Sequence, residues 1–210
     1  MSIDRVSTWA FCEEHPGPDP ALERLRNVGI ELGASPVSHA TGALLRVLAA
    51  TKDARAVIEI GTGVGVSGLF LLQGMNPNGV LTTIDSEPEF HRAARTTFRG
   101  AGVASHRTRF ITDRALDVLP RMAKAAYDMF VVDAPARDMP RYLDHAARML
   151  RKSGLLVIIN ALDHGQVANP AKRAPSTVIM REMLRALQES DQFHSSLIPA
   201  SDGIEIAVRT

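Results

Sequence analysis

A chain of 210 residues, 45% apolar and 22% charged, suits one well-buried domain and is too short for two substantial ones. That composition excludes an intrinsically disordered chain, which lacks the apolar surface to offset ordering entropy. With 24 basic against 23 acidic residues and no long run of either sign, it also argues against a nucleic-acid partner. Residues 1–20 read as an irregular N-terminal arm, because Pro16, Pro18 and Pro20 forbid a regular helix between them. The arm has no apolar run resembling a signal peptide, and its Cys12 is the only cysteine, so a cytoplasmic protein without disulfides is expected. No stretch approaches the ~18 uninterrupted apolar residues of a membrane span, so no membrane partner is expected.

From residue 21 to 210 the chain reads as one domain. Asp19 can cap a helix with Pro20 at its first position, on which Leu22, Leu25, Val28 and Leu32 recur at helical spacing. Ser35 is placed to cap a second helix, whose apolar face holds Leu44, Leu45, Val47 and Leu48. Strand-like runs then appear at 56–60, 80–85, 108–112, 127–133 and 155–159. Helix-like segments near 67–73, 87–100, 115–125 and 141–150 separate them. This alternation implies parallel strands joined by helical crossovers, and the unbroken apolar runs FVVD and LLVII suit strands covered on both faces. After a helix near 177–189, runs at 193–198 and 204–208 flank Pro199, Ser201, Asp202 and Gly203, a hairpin-like turn. The expected fold is α/β: a single doubly wound, Rossmann-like, mostly parallel sheet finished by a C-terminal antiparallel hairpin.

The segment Val57 to Gly68, VIEIGTGVGVSG, runs from a buried strand through glycines 61, 63 and 65 into a helix. Such a loop lets backbone approach a ligand closely, and in doubly wound sheets ligands bind at this end of the strands. It can equally be a mere tight turn. Gly63, Gly65 and Gly68 match the dinucleotide spacing G-x-G-x-x-G, but three residues too far from the strand; starting at Gly61 puts Val66 where the third glycine belongs. Glu59 is a carboxylate inside an apolar strand, where it needs a cation or several donors. The amino group of S-adenosylmethionine, or a network holding it, would supply them; a pairing with Arg55 or a helix terminus is the plainer alternative. Asp85 ends the second strand, where a carboxylate commonly accepts from ribose hydroxyls, or simply caps the helix that follows.

The motifs VIEIGTGVGVSGL, TTIDSEPEF and FVVDA resemble the S-adenosylmethionine-dependent O-methyltransferases related to catechol and caffeoyl-CoA O-methyltransferases, in their bacterial branch. The resemblance spans 32–209 and extends to PVSHATGALLRVLA and LIPASDGIEIAV. It implies a methyltransferase-type sheet and cofactor contacts at Val37, Glu59, Gly61, Thr62, Ser67, Asp85 and Ser86, with Gly63 in the same loop. It further implies an adenine-side contribution from Arg114 and Ala115, an acid at Asp133 touching substrate and cofactor, Pro135 close to the cofactor, and a homodimer.

Relatives of this kind hold a divalent cation with two aspartates and an asparagine. Asp133 and Asn160 match two of those positions, but Ile159 stands where the second aspartate belongs and Ala136 where a lysine does. Mg²⁺ prefers oxygen ligands in near-octahedral array, so a metal is doubtful here. Either Asp133 or His164 removes the acceptor proton without metal, or Asp163 or His164 rebuilds a metal site. The expected activity is methyl transfer to an oxygen of a small, phenolic acceptor. The alternatives are a cofactor-binding protein with little activity and a nicotinamide oxidoreductase, the latter disfavoured by Glu59 and the glycine register.

Overall fold

A computed structural model describes residues 4–17 and 19–210. Asp4 caps the first helix, α1 (Arg5–Glu14), by accepting from the amides of Val6 and Ser7. The arm expected to be irregular over 1–20 is therefore largely helical; residues 1–3 and Pro18 lie outside the described residues. Periodicity could not signal this helix, because Val6, Trp9 and Phe11 stay exposed rather than forming a buried stripe. Asp19 caps α2 (Pro20–Glu31) through the amides of Ala21 and Leu22, as its sequence suggests. The cap of α3 (His39–Thr51) is Ser38, not Ser35: its hydroxyl accepts from the Thr41 amide, and Ser35 lies on the loop before it.

The sheet builds in the expected rhythm: β1 (Ala56–Ile60), α4 (Val66–Gly74), β2 (Val80–Asp85), α5 (Pro88–Gly100), β3 (Thr108–Thr112). Then come α6 (Ala115–Val118), β4 (Tyr127–Val132), α7 (Met139–Met149), β5 (Leu150–Ile159), α8 (Pro175–Gln188), β6 (Phe193–Ile198) and β7 (Ile204–Arg209). In this stretch two boundaries differ from the expected ones by more than two residues. The helix expected over 115–125 stops at Val118, because the next turn tightens around Pro120, which has no amide to continue an α-helix. Strand β5 starts five residues early, pairing Leu150 with Tyr127 through an irregular register before Leu155 meets Met129.

Strand order is β3-β2-β1-β4-β5-β7-β6, parallel from β3 to β5 and antiparallel at β5–β7 and β7–β6. The order reverses at β1, and the helices that follow β1 and β4, α4 and α7, pack on opposite faces of the sheet, which leaves a crevice above the carboxyl ends of these two strands. One face of the sheet packs Ile58, Phe130, Leu156 and Ile158 against α7 and α8, with Tyr142 buried in that layer. The other packs Val57, Met129, Val131 and Val157 against the α2, α3 and α4 layer. No helix among the described residues is long and apolar enough to cross a membrane.

Candidate active site

The crevice is a cleft of about 690 Å³ at the carboxyl ends of the strands. Its walls include Val37, Gly61, Thr62, Gly63, Ser67, Asp85, Asp133, Pro135, Asn160, Asp163 and His164, residues that the sequence brings together only through the fold. Glu59, Ser86, Arg114 and Ala115 are not on its wall. Arg114 starts α6 with an exposed side chain 4.0 Å from Asp117, and Ala115 is buried under that turn.

Gly61 is where the chain leaves β1, at φ +89°, with its amide donating to the Ile84 carbonyl. A Cβ there would sit 2.0 Å from the Asp133 carbonyl oxygen, so only glycine lets the β1 and β4 ends approach this closely. The next two amides turn onto Asp85: Thr62 N–H (2.9 Å) and Gly63 N–H (3.0 Å) donate to Oδ2, while Glu87 N–H donates to Oδ1 (3.0 Å). Asp85 does not cap α5, whose N-cap is Glu87 without a side-chain bond; its Oδ1 fixes the turn into that helix and its Oδ2 ties the glycine loop to β2. Part of its acceptor capacity still faces the cleft.

Glu59 is 1% exposed and lies one layer behind the wall. Among the described residues it meets no cation: Arg55 pairs with Asp53 instead. Its carboxylate accepts from the hydroxyls of Ser67 (2.7 Å) and Thr83 (2.6 Å). Burial pushes it up to about 7, opposed by those two hydrogen bonds and assisted by Asp133 and Asp85. Proton counting then orients a buried chain. Thr83 spends its proton on Glu59, so it accepts from Thr62, 2.6 Å away. Thr62 in turn accepts from His91 Nε2 (3.0 Å), and His91 Nδ1 accepts from Thr112 (2.7 Å) in the neutral ring. Burial holds the His91 imidazole below its ordinary value, with Arg95 assisting and Asp85 opposing. No local pattern marks His91, because its partners Thr62 and Thr112 lie on two other elements, the glycine loop and β3. Ser67, its proton given to Glu59, offers the cleft lone pairs only.

At the other end, Asp133 is half-buried and follows β4, its amide fixed to the Ile60 carbonyl (2.9 Å). Asn160 Nδ2 donates to Asp133 Oδ1 (3.1 Å). Burial pushes Asp133 up to about 6, with the Asn160 bond opposing and Asp85 assisting. Asp163 is tethered by the hydroxyls of Ser176 (3.0 Å) and Thr177 (2.5 Å) at the start of α8. The His164 and Gly165 amides donate to Asp202 (2.5 and 2.9 Å), binding the loop after β5 to the β6–β7 turn. Ser201 and Asp202 are cleft residues that the sequence marked only as a turn.

These residues do not fit a divalent cation. Ile159 is 3% exposed and presents no donor, Asp163 is committed to α8, and Asn160 is turned onto Asp133. Among the described residues no three His, Cys, Asp or Glu side chains gather as a ligand set.

The model of the O-methyltransferase family matches residues 14–210. An inferred O-methyltransferase of Mycobacteroides abscessus is 44% identical over 211 residues, covering 99% of this chain and 98% of its own. A Corynebacterium glutamicum protein of known crystal structure superposes with a TM-score of 0.90 at 29% identity, covering 99% and 98% of the two chains. The Streptomyces achromogenes O-methyltransferase TomG, involved in tomaymycin synthesis and solved in complex with S-adenosylmethionine, superposes at 0.85 with 29% identity over 100% of both chains.

Proposed function

The chain belongs to the O-methyltransferase family, and from that premise we propose that this cleft binds S-adenosylmethionine and methylates an oxygen of a small acceptor. The observation that carries the cofactor reading is the fate of the loop amides. Thr62 and Gly63, whose N–H groups would cradle a pyrophosphate in a dinucleotide site, spend them on Asp85. A nicotinamide cofactor would meet a carboxylate where it needs donors. The ribose of S-adenosylmethionine brings two hydroxyl donors to Asp85 instead, and its ammonium suits the lone pairs of Ser67, which Glu59 holds in that orientation. Val37, Gly61, Gly63 and Pro135 supply the surrounding wall. Ser86 is assigned to the cofactor, and Arg114 and Ala115 to its adenine side, on the family resemblance alone.

Bound there, the sulfonium supplies an electrophilic methyl group. Asp133 serves the acceptor. Asn160 occupies its Oδ1, so Oδ2 is the atom that receives the hydroxyl's hydrogen bond and then its proton. With its carboxyl raised to about 6, Asp133 is still ionised at pH 7 and is a stronger base than a solvated aspartate. Ala134, Ala136, Met139, Ile159 and Met180 form the apolar part of this wall and keep water from competing. His164, on the same wall, is the second candidate for the proton.

The protein acts in the cytoplasm as a homodimer. Support for the dimer comes from Val6, Trp9, Phe11, Val28, Ile30, Leu32 and Val47, all exposed on the three N-terminal helices. Sedimentation at micromolar concentration should give a dimer that Ile30→Glu weakens; a monomer throughout would contradict this. The cofactor reading is tested by calorimetry on the purified chain. S-adenosylmethionine and its demethylated product should bind, and NAD and NADP should not; tight NAD binding without the others would overturn it.

A further inference from the structure

The cleft is long enough to have two ends of different character. Across the sheet, Asp85 on β2 and Asn160 after β5 are three strand intervals apart, roughly 14 Å at the usual ~4.8 Å spacing. Asp133, Asp163 and Asp202 all line the β4–β5–β7 end. Among the described residues no lysine or arginine lines the cleft. None of these three carboxylates joins an ion pair among the described residues. Their partners are neutral: the Asn160 amide, the Ser176 and Thr177 hydroxyls, and the His164 and Gly165 amide groups. Such donors satisfy oxygens but bring no positive charge.

The arginines around this wall are turned to other partners: Arg181 on α8 donates to the carbonyls of Gln166, Val167 and Asn169. Arg137 is exposed and directed to Asp138, and Arg26 donates to the Val37 carbonyl on the opposite lip. Among the described residues His164 is the one basic side chain on the lining. Three acids in a half-enclosed wall set up a negative potential that low-dielectric surroundings sharpen. The cofactor's net positive charge offsets part of it at the other end and does not remove it.

Resting on the methyltransferase reading, we propose that the acceptor is an uncharged or amine-bearing hydroxyl compound, and that acceptors carrying a carboxylate, a phosphate or an acyl-CoA are rejected. One unit charge about 6 Å from another at an effective dielectric near 20 corresponds to roughly a hundredfold in an equilibrium constant. Solvent at the open mouth reduces this, so a tenfold discrimination is the least that is expected.

The test uses three catechols of one skeleton: dopamine, 4-methylcatechol and 3,4-dihydroxyphenylacetate. Each is titrated calorimetrically into the full chain saturated with demethylated cofactor, and each is assayed for turnover. Dopamine and 4-methylcatechol should exceed the carboxylate at least tenfold in affinity and in kcat/KM. The margin should shrink at least threefold between 50 mM and 500 mM salt, on the order expected from Debye screening, and again in Asp163→Asn. The salt arm needs no variant, so a poorly folded mutant cannot obscure the result. Equal or better use of the carboxylate, or binding of none of the three while the demethylated cofactor binds, would overturn the proposal alone. Failure of the demethylated cofactor itself to bind would overturn the methyltransferase reading and the proposal with it.

Discussion

Replacing Glu59 by glutamine removes one buried ionisation while keeping the shape of the side chain. In the folded protein the carboxyl is raised from 4.5 to about 7, chiefly by burial. A group with a folded value above its unfolded one binds its proton more tightly when folded. Its ionised form is therefore penalised, and stability falls as pH rises from the unfolded value through the folded one. Integrated between pH 5 and pH 8, that shift amounts to roughly 2 to 3 kcal/mol. Glutamine keeps one acceptor for Ser67 or Thr83 and turns a donor to the other, whose hydroxyl can rotate to accept. The variant should fold and lack this pH dependence. Denaturant unfolding of both proteins without cofactor, at pH 5 and pH 8, isolates the effect, because Asp133 and the other acids are common to both. The glutamine variant should gain on the natural protein by that margin at pH 8 relative to pH 5. An identical stability difference at the two pH values would refute the reasoning.

Gly61→Ala should cost about 2 to 4 kcal/mol, since alanine at φ +89° is strained and its Cβ would strike the Asp133 carbonyl; a thermal melt within 2 °C of the natural protein would contradict this. Asp85→Ala should weaken S-adenosylmethionine binding by about 1.5 to 3 kcal/mol, the scale of a charged hydrogen bond, as read by calorimetry. Asp133→Asn should lower kcat by about 10² to 10⁴, the range of general-base catalysis, and leave cofactor affinity within a fewfold; a large loss of affinity with kcat retained would move the base elsewhere, to His164.

All seven strands could be read from the chain because each is a short strand-like run between turn residues or helix-like segments, a local property, though β3 (TRFIT) and β6 (FHSSLI) are mixed rather than apolar. The glycine loop and its acidic flanks were legible for the same reason: strand, turn and helix are contiguous, and Gly61, Asp85 and Asp133 each stand at a strand end. What the chain hid depends on distance. Glu59 is satisfied by hydroxyls 8 and 24 residues away, and Thr62 joins His91 29 residues on, so no window of sequence contains the network. Asp202 entered the cleft wall only because β7 pairs antiparallel with β5 and brings its turn beside the loop at His164. The helix α1 escaped because its apolar residues face outward, leaving only the cap at Asp4 as a signal. Ile159 was read as the loss of a metal ligand, and the structure adds that Asp163 is held by Ser176 and Thr177 at α8.

Metal-independent methyl transfer in this cleft is the central claim, and following the methyl label tests it most directly. The full chain, treated with EDTA, is incubated with S-adenosylmethionine labelled in its methyl group and with 4-methylcatechol. The label should appear as a methoxy group on the catechol, at a rate unchanged by the chelator or by added Mg²⁺. Cofactor that binds yet never yields labelled methoxy product, or turnover that EDTA abolishes and Mg²⁺ restores, would contradict it.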